Sequence, residues 1–113
     1  MEPERTAVVE RMEVVVKASK DARQALCEAE TAIEQFARHL ANGSSVRDAF
    51  TALRVGDLRK ALQDHLEALE RARLESRRAV IALGLSEGSS LGELARLWGL
   101  SRQLVTRIAK HGK

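Results

Sequence analysis

The sequence has few aromatic, cysteine and proline residues, and each shortage narrows the class of protein. Phenylalanine and tryptophan supply 3% of the 113 residues and tyrosine is missing, whereas β-sheets favour aromatic and β-branched side chains. Cys27 is the single cysteine, so neither a disulfide framework nor a cysteine-rich metal site is expected. Because alanine, leucine, glutamate and arginine dominate instead, we expect an all-α protein in a reducing cytoplasm.

Long apolar runs and enzyme motifs are also missing. No apolar run approaches the ~18 residues of a membrane-spanning helix, and the acidic N-terminal segment is unlike a signal peptide. There is no phosphate-binding loop, nucleophile elbow or catalytic carboxylate pair, and His39, His65 and His111 lack further ligands at metal-binding spacing. We therefore expect no membrane contact, no metal, no cofactor and no enzymatic activity.

Positive charge is concentrated near the end of the sequence. The net charge is +3, and residues 86–113 carry five basic and two acidic side chains. From Arg96 onward there is no acidic residue. Such a segment attracts polyanions, although the charge alone fits a solvated surface equally well.

A heptad pattern extends over the first part of the chain. From Val8 to Leu40, apolar or small residues alternate at spacings of four and three, with Ser19 as the one polar member. A period of 3.5 residues predicts a long helix that presents a narrow seam to a partner helix. Asn42-Gly43 is a good helix stop, so segment 1–43 is expected to be a coiled-coil helix running from Glu4 to Ala41.

Residues 44–56 are expected to form a short connecting helix. Ser45 is a suitable N-cap, and the helix should bury Val46, Phe50 and Leu53. After it, Gly56-Asp57 permits either a kink or a new helix with Asp57 as its N-cap. The sequence does not decide between these two possibilities.

A second heptad series runs from Leu58 to Leu83, with the polar His65 on its seam. The two seams can pair antiparallel within one subunit, but the longer first helix would leave part of its seam uncovered. We therefore expect a homodimer through the remainder. The residues predicted to form the seam are Met12, Val15, Leu26, Ile33, Phe36, Leu40, Leu62 and Leu69.

Residues 90–110 predict two short helices joined by a tight turn, at the end of segment 57–113. Ser90 and Glu93 form a capping-box pattern before the first helix. Gly99 suits a left-handed turn, and Ser101 can cap the second helix. The residues expected to face inward are Leu91, Leu94, Ala95, Trp98, Leu100, Leu104, Val105 and Ile108.

This segment resembles the helix-turn-helix family, especially the three-helix kind of homeodomain-like, resolvase-type and sigma-factor C-terminal domains. The residues that carry the resemblance are Ala95, Gly99, Ser101-Arg102-Gln103, Val105 and Ile108. The resemblance implies that the second helix enters the major groove of duplex DNA. It assigns base contacts to Ser101, Arg102, Gln103, Thr106 and Arg107, and phosphate contacts to Ser90, Arg107 and Lys110, with Arg77 and Arg78 as further phosphate candidates.

The sequence is therefore compatible with three functions. The first is a dimeric, sequence-specific duplex DNA-binding protein that regulates transcription, in which Arg102 would favour guanine and Gln103 adenine. The second is a coiled-coil interaction protein whose C-terminal unit docks another protein. The third is a regulator that holds a small hydrophobic effector between its long helices, which a cavity between the seams would favour.

Overall fold

The computed structural model describes residues 2–111 and folds them into five α-helices. Helix α1 spans Pro3–Ala41, α2 Val46–Leu53, α3 Val55–Ser86, α4 Leu91–Trp98 and α5 Arg102–His111. No strand occurs in residues 2–111, so the all-α prediction is confirmed for them. Met1, Gly112 and Lys113, which the predicted segments 1–43 and 57–113 include, lie outside the described residues.

Within residues 2–111, none of the helices combines the length and the apolar character needed to cross a bilayer.

The junction between α2 and α3 differs from both sequence-based possibilities. Arg54 closes α2 in the left-handed conformation, with φ of 51°, and α3 begins at the next residue. Gly56 and Asp57 therefore lie inside the first turn of α3, which excludes Asp57 as its N-cap, one of the two possibilities that the sequence left open. The Asp57 carboxylate instead forms an ion pair with the Arg54 guanidinium at 3.1 Å.

The buried residue of α2 also differs from the prediction. Ala49 is fully buried, whereas Val46 and Phe50 are 55% and 47% exposed. The small Ala49 thus occupies the most deeply buried position of this eight-residue helix. The prediction that Val46 and Phe50 are buried is therefore wrong, and Leu53 is half-buried.

The chain divides into two compact units. One unit contains residues 17–69, which comprise most of α1, all of α2 and the start of α3. Its interior contains Ala22, Ala25 and Ala49, and the rings of Phe36 and Phe50 meet edge to face with centroids 5.0 Å apart.

The other unit joins the chain up to Val16 to the residues from Glu70 onward. In it, the start of α1 runs antiparallel to the end of α3. Two ion pairs show this orientation, since Arg11 pairs with Glu75 and the earlier Arg5 pairs with Glu87, just after α3. The Arg11–Glu75 ion pair measures 2.7 Å. Both pairs are exposed and so contribute little to stability beyond fixing this register.

The large apolar side chains of α1 are not the ones that it buries. Its best buried residues are Val8, Ala22 and Ala25, two of which are small. Among the predicted seam residues, Val15, Phe36, Leu62 and Leu69 are half-buried, whereas Met12, Leu26, Ile33 and Leu40 are exposed. Helix α1 thus has an exposed apolar stripe beside its buried face.

Candidate nucleic-acid interface

Helix α4 begins at a complete capping box. The Ser90 hydroxyl oxygen accepts a hydrogen bond from the Glu93 backbone N–H at 3.1 Å, and the Glu93 carboxylate accepts one from the Ser90 N–H at 3.1 Å. Two backbone donors that a helix start leaves without intrahelical partners are satisfied in this way. The start of α4 is therefore fixed by local chemistry, as the sequence pattern predicts.

The turn after α4 depends on a glycine. Gly99 has φ of 77°, in the left-handed region where a Cβ is unfavourable. Its N–H and that of Leu100 both donate to the Ala95 carbonyl, each at 2.9 Å. The Ser101 hydroxyl oxygen then accepts from the Leu104 N–H at 3.1 Å, which caps α5.

A small apolar core holds α4 and α5 against α3. Its buried members are Ile81, Leu94, Ala95, Val105 and Ile108, with Leu85, Leu91, Leu100 and Leu104 packed against them. Burial of several aliphatic side chains, each worth about 1.5–3 kcal/mol, makes this unit more than a pair of isolated short helices. We call it the α3–α4–α5 core.

Trp98 does not belong to that core, which corrects its predicted inward position. It is 38% exposed, and its neighbour Leu97 is 82% exposed. The contribution of α3 to this core is Ile81, with Leu85 packed against it. The resemblance named the helix preceding the motif as the third member of the unit, and α3 does contribute to this core, but helical periodicity did not show that Trp98 stays outside it.

The outward surface of α5 is polar and cationic. Arg102, Gln103, Arg107 and Lys110 are all exposed. Within residues 2–111, none of these three cations pairs with a carboxylate, and the sequence has no acidic residue after Glu93. This surface therefore presents uncompensated positive charge on a helix that is anchored in the core by Val105 and Ile108.

The hydroxyl groups of three predicted DNA-contact residues also form hydrogen bonds with the backbone. The oxygens of Ser90 and Ser101 accept capping hydrogen bonds, which leaves each O–H proton able to donate to an acceptor such as a phosphate oxygen. Thr106 is half-buried and donates its proton to the Arg102 carbonyl at 2.8 Å. Thr106 is thus less open to a ligand than its neighbours on α5.

The two candidates on α3 differ in accessibility. Arg78 is exposed, but Arg77 is only 8% exposed, which is too buried for the phosphate contact suggested for it. Its Nε has no hydrogen-bond partner among the described residues. The sequence places both arginines beside the heptad series and gives no sign that one is enclosed.

Arg96 is a cationic residue that the predicted site leaves out. It lies exposed on α4 and forms no ion pair within the described part of the chain. In helix pairs that dock on DNA, the first helix crosses the phosphate backbone. The signal for Arg96 was its place at the start of the segment without acidic residues.

Comparisons of this chain with protein-family models, with curated proteins and with solved structures find no match. Among residues 2–111, no three His, Cys, Asp or Glu side chains lie together as metal ligands would.

Proposed function

We propose that this protein binds duplex DNA sequence-specifically as a dimeric transcriptional regulator, with α5 as the recognition helix in the major groove. The observation that carries the proposal is the exposed surface of α5, where Arg102, Arg107 and Lys110 lie without carboxylate partners in the described chain. A ten-residue helix is about 15 Å long, a suitable length for a groove roughly 12 Å wide.

The residues of α5 divide into two roles. Arg102 and Gln103 lie in the first turn, where recognition helices contact base edges, and their side chains suit guanine and adenine respectively. Arg107 and Lys110 lie later on the exposed surface and suit phosphates, with Arg96 of α4 as an addition. Phosphate contacts supply affinity and position but little sequence information.

Dimerisation follows from the weakness of one such helix and from the exposed stripe on α1. Three to four phosphate contacts give modest affinity at physiological salt, and two recognition helices would bind neighbouring half-sites together. The stripe of Met12, Leu26, Ile33 and Leu40 supplies an apolar surface through which two copies can associate.

The test is fluorescence anisotropy of labelled duplexes over a salt series. Arg102→Ala and Gln103→Ala should weaken binding to a preferred site by about 1–3 kcal/mol and leave random duplex less affected. Lys110→Ala should weaken all sequences similarly and reduce the salt slope by about one. Arg47→Ala, which removes the same charge from an exposed residue of α2, is the control and should leave the affinity for every duplex unchanged. Absence of binding to any duplex by the wild type would refute the proposal.

A second candidate function has its own supporting observation. Leu97 and Trp98 form an exposed apolar pair at the end of α4, and such pairs are common in protein contacts. In this case the protein would be an adaptor whose complex survives Arg102→Ala and Gln103→Ala but is lost with Leu97→Ser. The same two sets of variants therefore separate the DNA-binding and adaptor functions.

A further inference from the structure

An apolar cavity lies within the unit formed by residues 17–69. Its volume is about 310 Å³, and residues from α1, α2 and α3 line it. Small-molecule sites in proteins occupy roughly 300–1,000 Å³ and are mostly apolar with a few polar groups. The cavity is thus at the small end of that range, and it is too small to seat a helix about 10 Å across.

The cavity exists because small and large side chains face each other. Ala29 and Ala32 of α1 contribute little volume, while Phe36 and Phe50 form an aromatic wall beside them. The two rings are held edge to face at 5.0 Å, an arrangement that aromatic pairs prefer. The alanines therefore leave space that the aromatic wall bounds rather than fills.

Arg59 is the one charged residue in the cavity lining. It is exposed overall, and the lining is almost wholly apolar, so its methylene stem rather than its guanidinium forms part of the wall. No carboxylate within residues 2–111 pairs with it. The neighbours one helical turn away on either side are Val55, Gly56, Leu62 and Gln63, none of them acidic.

We propose that this cavity binds a small amphiphilic anion, a monocarboxylate whose apolar chain enters between α1, α2 and α3 while its carboxylate meets Arg59. The apolar wall favours a hydrocarbon body, and the guanidinium suits a carboxylate through paired hydrogen bonds. A hydrocarbon body on the order of ten carbon atoms suits a volume at the small end of the range of ligand sites. This site does not involve α4 or α5, although Ile33 belongs both to its lining and to the α1 stripe proposed for dimerisation.

Calorimetric titration with three matched ligands tests both parts of the site. Decanoate, decanol and decyltrimethylammonium share the chain and differ in the charge of the head group, and each is used below its micelle concentration. Decanoate should bind about ten-fold more tightly than decanol, and the cation should not bind. Arg59→Gln should reduce decanoate affinity to that of decanol and leave decanol unchanged, because only the ion pair is removed.

Controls keep the outcome unambiguous. Arg47→Gln changes the net charge equally at an exposed residue of α2 that does not line the cavity, and should leave decanoate binding intact. Ala32→Met should weaken decanoate and decanol alike by occupying the cavity, with circular dichroism showing retained helix. The proposal is overturned if no ligand binds, if decanoate and decanol bind equally, or if Arg59→Gln leaves decanoate affinity unchanged. Because no DNA is present, a failure here is distinct from a failure of duplex binding.

Discussion

Gly84 lies directly beneath the core leucine of α4, and its lack of a side chain permits that contact. A Cβ placed on Gly84 would lie 2.6 Å from Cδ2 of Leu94, and Leu94 is buried and cannot swing aside freely. By contrast, a Cβ on Gly56, in the first turn of the same helix, meets nothing within 4 Å. Packing against Leu94 therefore requires a glycine at position 84, whereas the packing around Gly56 leaves room for a side chain.

These two glycines should respond to alanine with opposite signs. We expect Gly84→Ala to lower the free energy of unfolding by about 1–3 kcal/mol through overpacking. Gly56→Ala should raise it by about 0.5–1 kcal/mol, because alanine is the better helix former and meets no obstacle. Urea denaturation followed by circular dichroism measures both. Equal effects of the two substitutions would contradict the packing described for Leu94.

Ser90 has an ordering role that can be tested apart from any DNA contact. Ser90→Ala removes the acceptor for the Glu93 N–H and should cost about 1 kcal/mol of unfolding free energy. The matched control is Ser89→Ala, since Ser89 bonds through its backbone N–H to the Gly84 carbonyl, which alanine retains. Urea denaturation of both variants checks this, and identical loss in the two would rule out the capping role.

At the scale of the helices, local signals in the sequence predicted what local interactions determine. The Ser90–Glu93 capping box, the left-handed Gly99 and the heptad series gave the helices near their observed positions, because capping, turns and periodicity depend on residues close in sequence. Helix α1 begins at Pro3, one residue before the predicted start, and ends at Ala41. The cationic surface of α5 follows from the same periodicity.

Tertiary packing decided the features that the sequence did not reveal. Arg54 adopts a left-handed conformation that is uncommon outside glycine and asparagine, so the α2–α3 junction was not foreseen. Burial of Arg77 and exposure of Trp98 depend on which helix covers which face. A single sequence carries the period of an apolar pattern but not the identity of its partner surface.

At the scale of the whole molecule, the exposed apolar stripe of α1 is the feature that a single chain leaves unexplained. Ile33 is 68% exposed, and Met12, Leu26 and Leu40 are also open to solvent. Leu26, Ile33 and Leu40 follow one another at intervals of seven within residues 17–69, and exposed apolar surface of this kind commonly marks a site of association. The spacing of these residues in sevens, apart from the polar Ser19 at one position, fits another helix.

A charge placed in the stripe should therefore weaken self-association. We expect Leu26→Lys to raise the dimer dissociation constant at least ten-fold, since a buried uncompensated charge is costly. Gln24→Lys introduces the same charge on an exposed part of α1 outside the stripe and should leave the constant unchanged. Sedimentation equilibrium provides the measurement. A wild type that stays monomeric at every concentration would contradict the dimer.

The most direct test of sequence-specific duplex binding is selection of bound sequences from a random duplex library with the purified protein. We expect enrichment of an inverted repeat, with two half-sites whose centres lie about 34–36 Å apart or a multiple of that distance. Arg102→Ala and Gln103→Ala should each relax the preference at one position of every half-site. A bound pool with the same base composition at all positions as the starting library would contradict sequence-specific recognition by α5.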